Sequence, residues 1–146
     1  MKQIVSIINQ KGGVGKSTTS QALAAGLSLK GYKVLLIDMD SQGNLSFSVG
    51  ANKQGVSVLE VLKREASAED SIQHIGALDI IPASISLAGA DMQLTEMGKE
   101  YRLKEAIEPV KKKYDYIIID TPPALGILTI NALTASDSVI IPAQAD

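Results

Sequence analysis

The run Lys11-Gly12-Gly13-Val14-Gly15-Lys16-Ser17-Thr18 packs two lysines, three glycines and two hydroxyls into eight residues. Glycines carry no Cβ, so successive backbone N–H groups can turn toward one anion and approach it closely. A strand before the run and a helix after it would aim the helix N-terminus at the same point. The chemistry this order of parts supports is the grip of a nucleoside triphosphate tail. The amides of Gly12, Gly13, Val14, Gly15, Lys16, Ser17 and Thr18 form the cradle, Lys16 reaches the β- and γ-phosphates, and the Ser17 hydroxyl ligates Mg²⁺. A lysine ammonium about 4 Å from a phosphate oxygen gains roughly 4 kcal/mol per unit charge at an effective dielectric near 20. Two further segments place carboxylates after apolar runs. Asp120 follows Tyr116–Ile119 and reads as the acidic residue that holds Mg²⁺ through a water molecule. Asp38-Met39-Asp40-Ser41-Gln42-Gly43-Asn44 follows Lys33–Ile37, where ligands of open parallel sheets bind.

Positioning these groups requires alternating strands and helices. The sequence predicts strands over Gln3–Asn9, Lys33–Ile37, Leu78–Ile81, Tyr116–Ile119 and Ser138–Ile141. Helices are expected over Lys16–Lys30, Val58–Arg64, Leu87–Met97, Glu100–Lys112 and Gly126–Ala135, with Asp38–Gln54 a long loop containing one helical turn. Strands that read as continuous apolar runs between helices predict a doubly wound α/β fold, a mostly parallel sheet covered on both faces. The 146 residues fit one domain. The chain stops at Asp146, immediately after a strand and with no covering helix. That predicts the N-terminal portion of a single P-loop ATPase domain, truncated after the Asp120 region.

Composition excludes other classes. Aromatic residues are 3% with no Trp, so stacking platforms for single-stranded nucleic acid are not expected, and the core must be aliphatic. The net charge of −2 supplies no global basic field for DNA or an anionic membrane. The absence of cysteine removes thiolate chemistry. No apolar run approaches the length of a membrane span, and a cytoplasmic protein is the expectation. His74, the single histidine, reads as an ordinary helix or loop residue, Met92 and Met97 as core filler, and Lys111–Lys113 as charge that offsets a helix C-terminus.

The phosphate loop departs from the common pattern at Gln10, where the standard motif has glycine, and Lys11 follows as an additional lysine. This variant resembles the deviant P-loop of the ParA/MinD group. Asp38-Met39-Asp40-Ser41-Gln42-Gly43-Asn44 resembles that group's first switch loop with Ser41 in place of proline, which leaves the loop less rigid. Asp120-Thr121-Pro122-Pro123 resembles the second. Leu125-x₃-Thr129-x-Asn131-Ala132-Leu133 and Val139-Ile140-Ile141-Pro142-x-Gln144 are similar to the ParA/Soj partition branch rather than to MinD. The likeness runs from residue 2 to the end of the chain, weakest between about 50 and 100.

The resemblance implies an ATP-hydrolysing dimerisation switch in chromosome or plasmid partition. It implies that Lys11 crosses a homodimer interface to the partner's phosphates, where it acts as arginine fingers do. It also implies that Asp40 positions the attacking water, that Asp38 supports the magnesium shell, and that a ParB-like protein and non-specific DNA are partners. The catalytic set is then Lys11, Lys16 and Asp40, and the metal set Ser17, Asp38 and Asp120. Two other readings compete: a non-hydrolysing fragment that hides its unfinished sheet by self-association or domain swapping, and a related cell-division or positioning ATPase.

Overall fold

Three runs have side chains that are almost wholly buried: β1 (Gln3–Ile7), β2 (Val34–Asp38) and β5 (Tyr116–Asp120). In the computed structural model, which describes residues 1–8 and 15–142, and only the backbone for 15–18, these runs form the middle of one sheet. The strand order is β3 (Gln73–Ile75), β4 (Leu78–Ile81), β2, β5, β1 and β6 (Ser138–Ile140). All neighbours pair in parallel except β3, which runs antiparallel to β4.

The two-residue period of a strand divides these runs between two cores. Ile4, Leu35, Ile37, Ile81, Ile117 and Ile119 face α3 (Val58–Leu62), α6 (Arg102–Ile107) and α7 (Ile127–Ala135). Val5, Ile7, Val34, Leu36, Ile80 and Ile118 face α1 (Gly15–Leu29) and Leu45 of α2 (Asn44–Val49). The sheet is therefore covered on both faces, and the doubly wound α/β reading holds. Each fully buried Ile or Leu contributes about 1.5–3 kcal/mol, so the central strand ends are firmly held.

The structure differs from expectation between the predicted loops and helices. The Asp38–Gln54 segment carries α2, six residues rather than one turn. The Leu87–Met97 helix is instead a 3-10 turn, Ile85–Gly89, followed by the four-residue α5 (Ala90–Gln93). Leu87, Ala90 and Leu94 are nevertheless buried at helical spacing. Leu94 then leaves helical geometry, at φ −100 and ψ 88. Met92 lies off that stripe and Met97 lies past the break, and they are 86% and 102% exposed rather than core filler. The left-handed Gly98, at φ 84, separates this stretch from the next, where α6 is flanked by 3-10 turns at Lys99–Tyr101 and Lys111–Lys113. A short α4 (Ala68–Ser71) and β3 were not expected, and His74 belongs to that strand. Gln73, His74 and Ile75 carry no strand pattern; pairing with β4 makes them one.

Candidate active site

Register brings the acidic residues together. Ile7 of β1 lies opposite Asp120 of β5, and Asp120 lies opposite Asp38 of β2, all at the carboxyl ends of parallel strands. Helix α1 starts at Gly15 and follows β1 in the chain, so residues 8–14 join the carboxyl end of β1 to the start of α1. Asp38 and Asp120 are 0% exposed and Asp40 7%. Lys11, Gly12, Gly13 and Val14 lie outside the described residues. Gly15, Lys16, Ser17 and Thr18 form the first turn of α1, and their side chains are likewise outside the description.

The Asp38–Asn44 loop is held by its own carboxylates. Asp38 Oδ1 accepts the Asp40 amide at 3.1 Å, while Oδ2 accepts the Ser46 amide at 2.9 Å and the Ser46 hydroxyl at 2.6 Å. Burial pushes the Asp38 carboxyl above its ordinary range, and the bonds from Ser46 and Asp40 only partly oppose this. Asp40 Oδ1 accepts the Gln42 amide at 3.0 Å, an Asx turn, and its carbonyl accepts the Gly43 amide at 2.9 Å. Gly43 then takes φ 67, a left-handed conformation that glycine adopts without a Cβ penalty, and α2 begins.

The Asp120 loop is held from other directions. Ser20, on the second turn of α1, donates its hydroxyl to Asp120 Oδ1 at 2.6 Å. The Asp120 carbonyl accepts the Met39 amide at 2.8 Å, and the Thr121 hydroxyl donates to the Ile7 carbonyl at 2.8 Å. Neither Ser20 nor Ser46 stood out in the sequence. Both are single hydroxyls, and the partner of Ser20 is 100 positions away.

A cleft of about 560 Å³ lies between the 41–47 segment and Ala83–Ile85, lined in part by Ser46, which bonds Asp38, with Phe47 73% exposed on its wall. Larger hollows occur elsewhere, one of about 720 Å³ at the amino ends of the strands, so size alone does not locate the site. The donor chemistry does. The groups gathered at the carboxyl ends are hard oxygens, which suit Mg²⁺. No three His, Cys, Asp or Glu residues form a complete metal cage among the described residues. An ion that keeps its waters and binds substrate phosphates through one or two carboxylates fits such a donor set.

A family model described as an AAA domain matches residues 2–146. Soj, the sporulation initiation inhibitor protein of Bacillus subtilis, is 52% identical over 151 residues, covering 100% of this chain and 60% of Soj. The chromosome partitioning protein ParA of Myxococcus xanthus is 42% identical, covering 99% of this chain and 53% of its own length. The chain belongs to the AAA-domain family that holds the ParA and Soj partition proteins. A solved structure of cobyrinic acid a,c-diamide synthase from Mycobacterium smegmatis, with bound ATP analog and magnesium, superposes with a TM-score of 0.94 at 41% identity. It covers 98% of this chain and 60% of that one. The chain thus spans roughly half to two thirds of the length of such family members. Among its described residues no helix is long and apolar enough to cross a membrane.

Proposed function

We propose that this chain carries the phosphate-binding and switch elements of a cytoplasmic ATPase that acts as a dimerisation switch in chromosome or plasmid partition. The observation that carries the reading is the register of Asp38 and Asp120 at adjacent strand ends, with Ser20 of α1 bonded to Asp120. The names of the 52% and 42% identical relatives support the partition role.

In this reading the amides of Gly12–Thr18 cradle the triphosphate, and Lys16 draws the β- and γ-oxygens together. Ser17, Asp120 and Asp38 would hold magnesium, directly or through water. When bound, Mg²⁺ supplies charge neutralisation at the β- and γ-phosphates. Asp40 orients the attacking water from the end of the loop that Asp38 and Ser46 anchor. Lys11 extends to the phosphates of a second copy, where it offsets the repulsion of two facing nucleotides. Contacts to the γ-phosphate favour one arrangement of the 38–46 and 120–126 loops, and hydrolysis removes that difference in free energy. A ParB-like protein and non-specific DNA are the partners this role calls for.

Calorimetry on the intact gene product tests the reading. ATP uptake should require Mg²⁺ and weaken at least about tenfold in Lys16→Ala, the loss expected when a charge-assisted phosphate contact disappears. Equal uptake with and without the metal, or in the variant, would sink it. A second reading, self-association of this chain through its sheet edge, is favoured by β6, whose Val139 and Ile140 are 44% and 38% exposed, followed by Ile141 at 54%. Concentration-dependent size without nucleotide would support that alternative.

A further inference from the structure

Helix α7 begins directly after the 120–126 loop, and Gly126 at its cap position offers no side-chain acceptor. The acceptor comes instead from far upstream in the chain. Asp91, in α5, takes the Ile127 amide on Oδ1 at 2.8 Å. A carboxylate suits that place, because the first amides of a helix are unpaired within it and the dipole is positive there. Gly126 lies against the same carboxylate. Its φ of −138 and ψ of −168 are extended backbone that any residue adopts. A Cβ at 126 would nevertheless lie 2.9 and 3.1 Å from the two carboxylate oxygens of Asp91. A side chain at 126 would require that carboxylate to shift, whereas the backbone conformation places no demand for glycine.

The segment that delivers Asp91 also touches the other loop. The Ala83 amide donates to the Ser46 hydroxyl at 3.0 Å, and that hydroxyl donates to Asp38 Oδ2. Residues 83–91 therefore span from the anchor of the 38–46 segment to the exit of the 120–126 loop. The entry of the 120–126 loop is fixed by β5 and by the Thr121–Ile7 bond, and the Thr129 hydroxyl holds the Ala124 carbonyl at 2.6 Å. At the exit, that Thr129 bond is joined by the one to Asp91, a solvent-exposed residue whose bond water can contest.

We propose that Asp91 is a positioning residue for the 120–126 loop, and that residues 83–91 couple this loop to the 38–46 loop. The activity readout of this inference rests on the ATPase reading above. With the cap gone, the loop spends less time where it meets the γ-phosphate, while the phosphate cradle is untouched.

The test compares Asp91→Ala, Asp91→Asn, Gly126→Ala and the Asp91→Ala/Gly126→Ala double variant in the intact gene product. Asp91→Ala should lower kcat for ATP about tenfold with KM within about twofold, the signature of lost positioning rather than lost binding. Asp91→Asn keeps an acceptor oxygen and should recover to within about threefold of the parent. Gly126→Ala should match Asp91→Ala, and the double variant should be no worse than either single, because both changes remove one contact. A kcat for Asp91→Ala within about twofold of the parent, with only the melting temperature lowered, would overturn the proposal. Amide exchange supplies a readout that needs no turnover: Asp91→Ala should speed exchange at 124–128 and, through the bridge, at 40–46. Unchanged exchange in both loops would overturn the coupling even in an active enzyme. A parent that fails to hydrolyse ATP would remove the ATPase reading and leave exchange to decide this one.

Discussion

Two groups of carboxylates sit at opposite ends of the same sheet, and they are treated differently. At the amino ends, Asp79 accepts the Tyr114 hydroxyl on Oδ2 at 2.6 Å and meets His74 Nδ1 at 2.7 Å, while Asp115 accepts the Lys33 amide at 2.8 Å. Water still reaches this end: the Asp79 side chain is 22% exposed and His74 77%. At the carboxyl ends, Asp38 and Asp120 are fully buried, and the donors to Asp38 are two amides and one hydroxyl, all neutral. Burial of a carboxylate is costly, and at Asp38, whose donors among the described residues are neutral, burial raises the pKa. The amino end closes the sheet with satisfied contacts, whereas the carboxyl end concentrates acid where water is excluded. The second arrangement gathers carboxylate oxygens of the kind that suit a hard cation.

The sharpest way to break this contrast is Asp40→Ala in the intact gene product. A residue that orients the attacking water is worth about 10²–10⁴ in rate, so ATP turnover should fall by at least about 10²-fold. Turnover near the parent value would demote Asp40 to a turn residue.

Ser46→Ala comes next, and it probes the carboxyl end as structure. Removing the hydroxyl leaves the Ala83 amide without its acceptor and Asp38 Oδ2 with one donor fewer. An unsatisfied buried group costs about 1–3 kcal/mol, which denaturant unfolding would register. Ser46→Thr should retain most of the stability, and a null result for Ser46→Ala would show that the anchor lies elsewhere.

The smallest effects belong to the amino end. Burial, and then the bond to Asp79, push the Tyr114 hydroxyl pKa above its ordinary value near 10. The folded state therefore keeps a proton that the unfolded chain releases above about pH 10. The stabilisation is fully present below that pH and is lost as pH rises toward the folded pKa. Tyr114→Phe should flatten this alkaline decline, as followed by unfolding between pH 9 and pH 11 (about one unit either side of the ordinary value). His74→Ala should change stability by no more than about 0.5 kcal/mol, the range of an exposed substitution. A larger loss would make the amino end a second demanding site and erase the contrast.

The strands were legible because they are buried on both faces. β1, β2 and β5 emerge within one or two residues of expectation, since a central parallel strand must be apolar throughout. The carboxylates that close β2 and β5 were legible as breaks in those runs. The stretch from 85 to 113 was less so: its apolar spacing survives at Leu87, Ala90 and Leu94, but the helices split into short turns around them. Tertiary contact overrode local preference there, because a few buried side chains satisfied the core without a long helix. Edge strand β3 and the sheet position of His74 arose from pairing alone.

What the sequence determined by itself is the periodic apolar pattern, the glycine-lysine run at 11–18 and the acids at the strand ends, because each is a local choice of residue types. What the tertiary structure decided is which of these meet. The Ser20–Asp120, Ala83–Ser46 and Asp91–Ile127 bonds join residues 100, 37 and 36 positions apart. Each is set by strand order and by where a helix happens to end. Hydrogen bonds act over about 3 Å, and no local pattern of residues encodes which distant partner will come within that reach.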